Sequence, residues 1–212
     1  MIIVNFKAYE QAQGPNAVEI AEDCISAMER TGEKVIACPS FQDMLRLEDH
    51  DIEVFSQHLD PVDPGSHTGS VLAEGLRKSG ASGTLINHSE RRMEEERIRQ
   101  AIERADSNGL TTVVCAQTPE ECGRLSQFHP DYIAFEPPEL IGSQTAVSKA
   151  KPKLIEEAVE SSEVPTLTGA GIKDRKDVEK SVDLGCEGVL VASGVVKADD
   201  VEQEVKQLCR GL

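Results

Sequence analysis

Residues 111–116, Thr111-Thr112-Val113-Val114-Cys115-Ala116, form an unbroken run of β-branched and small apolar side chains, and an amphipathic stretch follows at 118–127. So short a run, with no polar alternation, suits a strand buried on both faces. The same unit recurs outward in both directions. Before it stand 2–6 (IIVNF) with 15–31, 34–39 (KVIACP) with 41–49, 52–57 (IEVFSQ) with 71–79, and 83–87 (GTLIN) with 92–107. After it come 131–136 (DYIAFE) with 148–161, 164–169 (VPTLTG) with 174–183, and 187–192 (EGVLVA) with 198–209. Alternation of strand and helix implies right-handed crossovers and a parallel sheet, which makes the class α/β.

Eight units in 212 residues, about 26 residues each, predict a closed (β/α)8 barrel in one domain, residues 1–212. A doubly wound sheet more often stops at five or six strands and opens with a glycine-rich turn, whereas the first turn here is NFKAYEQAQG, without G-x-G-x-x-G. The chain is short for this fold, so some outer helices should be short or missing, 41–49 among them. One long non-periodic segment, 57–70 (QHLDPVDPGSHTGS), interrupts the pattern. A loop of that length inside a compact domain is usually functional or makes contacts.

Composition narrows the function classes. With 38 Asp+Glu against 22 Lys+Arg the net charge is −16, a surface that repels nucleic acid and anionic membrane. The acids are scattered and form no tail, which leaves two readings open: an ordinary soluble surface, or a halophile-type surface that stays hydrated in multimolar salt. The six cysteines (24, 38, 115, 122, 186 and 209) show no C-x-x-C and no pairing with His at ligand spacing. They predict free buried thiols in a reducing cytoplasm, with no metal. The amino-terminal IIVNFKAYE reaches Asn and Lys too soon for a signal peptide, and no stretch reaches 18 apolar residues.

In a (β/α)8 barrel the active site collects at the carboxyl ends of the strands. The ends of strands one, four, six, seven and eight stand out: Asn5-Phe6-Lys7; Asn87-His88-Ser89-Glu90-Arg91-Arg92; Glu136-Pro137-Pro138; and the small-residue turns Gly169-Ala170-Gly171 and Ala192-Ser193-Gly194. Each has a bland explanation: a solvated Lys, a capping His, a paired carboxylate, tight turns. Together they define one task. The turns let backbone N–H groups approach a phosphate, Glu136 supplies a base, Lys7 a cation, and His88 a donor for the oxygen of a developing enediolate. That is proton transfer alpha to a carbonyl in a small phosphate ester.

With these motifs in this order over the whole chain, the sequence resembles the triosephosphate isomerase family, whose fold is the TIM barrel, and specifically its shorter archaeal branch. N-H-S-E-R-R and Glu136-Pro137-Pro138-Glu139-Leu140-Ile141-Gly142 are the specific elements. The resemblance implies an aldose-ketose isomerase of glycolysis and gluconeogenesis that needs no cofactor. Glu136 would be the base, His88 the electrophile, and Asn5 and Lys7 the contacts at the reacting end. Backbone at Ile141-Gly142, Gly171 and Ala192-Ser193 would bind phosphate, and 137–148 would be a closing lid. It further implies a homo-oligomer, at least a dimer and on one reading a tetramer, with loop 57–70 reaching a neighbouring subunit. Ser89-Glu90 is expected to open a helix whose positive end disfavours imidazolium at His88. Two rivals share parts of this pattern: another barrel enzyme on a phosphorylated substrate, and a barrel that has lost catalysis and serves in interaction. The intact set Lys7, His88 and Glu136 stands against both.

Overall fold

The computed structural model describes residues 1–138 and 152–212. Each of the eight apolar runs carries one strand: β1 (Ile2–Asn5), β2 (Val35–Cys38), β3 (Glu53–Ser56), β4 (Ala81–Ile86), β5 (Thr111–Ala116), β6 (Tyr132–Phe135), β7 (Thr166–Thr168) and β8 (Gly188–Val191). All pair in parallel in chain order, and β1 pairs with both β2 and β8, so the barrel is closed. Closure leaves no free sheet edge.

Alternation of side chains along each strand separates two apolar layers. Ile3, Ile36, Phe55, Leu85, Val113, Ala134, Leu167 and Leu190 point inward and fill the barrel. Their neighbours, such as Ile2, Val4, Val35, Val114 and Ile133, point outward and meet the helices. Those helices are α1 (Pro15–Thr31), α2 (Ala73–Lys78), α3 (Glu95–Asp106), α4 (Pro119–Ser126), α5 (Pro152–Ser161), α6 (Arg175–Asp183), α7 (Ser193–Val196) and α8 (Val201–Cys209). α1 shows why they dock: Ala17, Ile20, Ala21, Cys24 and Ala27 recur at helical spacing and are all buried. α6 begins with a capping box in which Asp174 and Asp177 satisfy each other's backbone N–H groups.

Two outer elements depart from a regular helix. Between β2 and β3 the chain forms only a 3-10 helix, Phe41–Leu47, in line with the expected shortening of 41–49. Its Asp43 carboxylate is buried and accepts from Ser40 Oγ, Gly14 N–H and Arg46 Nε, which fixes it to the strand-one turn. The second departure corrects the sequence reading. Ser89 and Glu90 form a turn closed by Arg91 N–H to the His88 carbonyl at 2.7 Å, and α3 starts only at Glu95. Asn87 enforces this. It holds φ 63°, its Nδ2 donates to the Cys115 carbonyl, and its Oδ1 accepts from Met93 N–H at 2.9 Å, so 88–92 is a closed loop.

Candidate active site

The alternation that packs the interior also aims the residues at its mouth. Asn5 follows Ile3, Glu136 follows Ala134, Gly169 follows Leu167 and Ala192 follows Leu190, each two positions past an inward side chain. The ladder runs on beyond the strands: Glu136 N–H donates to the Ala116 carbonyl at 2.8 Å and Gly169 N–H to the Phe135 carbonyl at 2.9 Å. These positions border a cleft of about 520 Å³ lined by Asn5, Lys7, His88, Glu136, Gly171 and Ser193 among others.

Glu136 is 3% exposed, and burial pushes its carboxyl up to about 7. The neighbouring Cys115 thiol and the charge of Lys7 pull the other way but do not win. Its Oε2 has no donor among the described residues. Oε1 lies 3.7 Å from His88 Nε2.

His88 is buried, and its imidazole is pulled down to about 4, first by desolvation and then by the charge of Lys7, against an opposing contribution from Glu90. The helix end invoked from the sequence is absent; burial and a nearby cation do its work. Glu90 N–H donates to His88 Nδ1 at 3.2 Å. An accepting Nδ1 on a neutral ring places the proton on Nε2, the nitrogen that faces Glu136 and the cleft.

Lys7 sits in the left-handed region at φ 49°, a conformation that costs a residue with a Cβ about 1–2 kcal/mol. Asn5 Oδ1 accepts its N–H at 3.0 Å. Its Nζ bonds Glu90 Oε1 at 2.9 Å. Opposite, Gly171 holds φ 70°, which a residue without a Cβ adopts freely. Ala192 caps α7, so the N–H groups of Ser193 and Gly194, first in that helix, have no intrahelical acceptor.

Asn5, Lys7, His88, Glu136, Gly171, Ala192 and Ser193 therefore surround one cleft. Ile141 and Gly142, and the 137–148 lid beyond Pro138, lie outside the described residues. Four contributors escaped the sequence reading as individuals: Glu90, paired to Lys7; Cys115, beside Glu136; Gly169, against Glu136; and Tyr9, in the cleft wall. Glu90 stood in a quoted motif and, as the acid nearest the basic Arg91-Arg92 pair, could have been singled out. Gly169 stood in the turn Gly169-Ala170-Gly171, while Cys115 and Tyr9 declare themselves only in space. All six cysteines are free and buried, no group of three His, Cys, Asp or Glu among the described residues could hold a metal ion, and no described helix is long and apolar enough to cross a membrane.

A family model for triosephosphate isomerase matches residues 1–209. Triosephosphate isomerase of Methanobacterium bryantii is 45% identical over 197 residues, covering 90% of this chain and 87% of that protein. That of Methanothermus fervidus is 42% identical, covering 90% and 89%. The crystal structure of triosephosphate isomerase from Bartonella henselae superposes with a TM-score of 0.72 over 99% of this chain and 97% of that one; at 19% identity this bears on the fold alone. A match over nearly the whole chain, together with archaeal relatives above 40% identity, places the chain in the triosephosphate isomerase family.

Proposed function

We propose that this cleft interconverts D-glyceraldehyde 3-phosphate and dihydroxyacetone phosphate, with Glu136 as the base and His88 as the electrophile. The observation that carries the reading is a buried carboxylate of raised proton affinity 3.7 Å from the protonated nitrogen of a neutral imidazole. Glu136 takes the proton from the carbon alpha to the carbonyl, and the electron pair moves onto the carbonyl oxygen. His88 Nε2–H hydrogen-bonds that oxygen and protonates it, and the charge of Lys7 stabilises the enediolate. The neighbouring hydroxyl then gives its proton back to His88 Nε2 and becomes the new carbonyl as Glu136 returns its proton to the former carbonyl carbon, which completes the isomerisation and restores both residues. Proton and electron pair stay within enzyme and substrate, so the reaction requires no cofactor or metal. Asn5 and Lys7 hold the reacting end; backbone at Gly171, Ala192-Ser193 and Ile141-Gly142 holds the phosphate; and 137–148 closes over both.

The same proposal extends to the setting of the enzyme. Residues 1–212 act as one barrel domain in the cytoplasm, consistent with six unpaired thiols, and serve glycolysis and gluconeogenesis, with no nucleic-acid or membrane partner. The chain works as a homo-oligomer, a dimer or tetramer, through loop 57–70. Asp60 anchors the base of that loop by accepting Val71 N–H at 2.8 Å, while 63–69 are exposed. Phe41 and Leu45, the large hydrophobic side chains exposed among the described residues, offer an apolar surface at the same end of the barrel. The acid surplus is a halophilic adaptation, supported by exposed carboxylates spread over separate elements, as at Glu48-Asp49, Glu94-Glu95-Glu96 and Asp199-Asp200.

An assay coupling the conversion of glyceraldehyde 3-phosphate to reduction of dihydroxyacetone phosphate tests the reaction. Turnover abolished by Glu136→Gln is expected. An inert wild-type protein from ~0.1 M to ~2 M KCl would favour the interaction-protein reading instead.

A further inference from the structure

Lys7 is the strained member of the site, and its backbone is held from both sides. Asn5 Oδ1 takes its N–H. Its carbonyl accepts from Gln57 Nε2 at 3.0 Å, and the same Nε2 donates to the Cys38 carbonyl at 3.1 Å. Both acceptors are main-chain oxygens, so the orientation of the Gln57 amide is unambiguous: a flipped side chain would set oxygen against two oxygens. A primary amide nitrogen carries two hydrogens, and here each has an acceptor. Gln57 is the first residue after β3 and the root of the long loop, so one side chain joins the ends of strands one, two and three.

We infer that Gln57 is a positioning residue for Lys7, holding its left-handed backbone so that Nζ stays at the cleft beside Glu90. Without the Gln57 amide the Lys7 carbonyl is free to turn, and the residue relaxes toward the ordinary regions of φ, carrying its Cα–Cβ direction and the ammonium group away. Glutamine meets requirements that near relatives do not. Glutamate has the length but would place a carboxylate against two carbonyl oxygens, and leucine fills the space without a donor.

The inference rests on the reading that Lys7 acts on the anionic substrate, and a double-mutant cycle separates the two. Gln57→Leu, Lys7→Ala and the double variant are assayed for kcat, KM and binding of phosphoglycolate, a phosphorylated carboxylate that mimics the enediolate. Gln57→Leu is expected to lower kcat/KM by about tenfold or more and to weaken phosphoglycolate, yet to cost less than about twofold once Lys7 is already alanine, because residues acting through one another are not additive. If Gln57→Leu does not fold, Gln57→Glu carries the same cycle. An equal loss in both backgrounds, no loss at all, or failure of both variants to fold would overturn the positioning role. If Lys7→Ala itself leaves kcat/KM and phosphoglycolate binding intact, it is the substrate role of Lys7 that fails.

Discussion

A Cβ built on Gly169 would lie 2.4 Å from Cγ and 3.0 Å from Oε1 of Glu136. The inward position at the end of β7 is thus occupied by the carboxylate arm of the preceding strand. No alanine fits there without moving Glu136. Gly169→Ala should keep the fold and the phosphate contacts but displace the base, and a misplacement of about 1 Å costs on the order of 10²-fold in kcat. Steady-state kinetics with phosphoglycolate binding as control would check it; wild-type kcat would show that Glu136 has other productive positions.

Glu136→Gln removes the base and leaves its shape. A loss of at least ~10³ in kcat is expected, with inhibitor affinity far less affected. The same substitution has a stability signature. Because burial raises the folded carboxyl to about 7 from the ordinary 4.5, the native state holds the proton more tightly than the unfolded chain. Stability therefore falls as pH rises from 4.5 to 7, by on the order of 3 kcal/mol, and stays lower above. The glutamine variant escapes that loss. Its Tm should exceed wild type by at least about 3 °C at pH 8 and match it within about 1 °C at pH 4.5. An unchanged Tm at pH 8 would mean that the carboxylate is not destabilising.

The depressed affinity of His88 for a second proton predicts a silent titration. Nitrogen NMR of selectively labelled protein should report a neutral ring protonated at Nε2 throughout pH 5–9, with imidazolium forming only on approach to about 4. A transition between pH 6 and 7 would return His88 to ordinary behaviour and remove the neutral electrophile.

With 38 acidic against 22 basic residues, self-repulsion should weaken the fold in dilute buffer. Tm should rise clearly between ~0.1 M and ~2 M KCl as the charges are screened. A flat or falling curve would make the surface an ordinary acidic one.

Deleting 62–67 shortens the exposed arc while keeping Gln57 and Asp60. If the arc braces a neighbouring subunit, sedimentation should show monomers with little activity. A fully active oligomer of wild-type size would remove the bracing role.

The strand runs were legible because strands buried on both faces leave a contiguous apolar signature, and β5 occupies the quoted 111–116 run end to end. Elements that owe their form to distant partners were not. The loop after His88 read as a helix start because Ser89-Glu90 is a good one locally, but Asn87 reaches across to Cys115 and forward to Met93, and those bonds hold the chain in a loop until Glu95. The acidic run Glu94-Glu95-Glu96 was the better signal for where a helix begins. α7, four residues long, is too short to show a period. At the site, residue type and strand end were enough to nominate Lys7, His88 and Glu136. Gln57 and Gly169 work through neighbours 50 and 33 positions away, a relation that exists only once the barrel has closed.

The ladder bond from Glu136 N–H to Ala116 ties the proposed base to the part of the molecule that opens last. Its amide should exchange with solvent only through events that part β5 from β6, on the timescale of global unfolding. A base rooted in the barrel wall keeps its main chain at a fixed address, so no rearrangement of that main chain adds to the barrier.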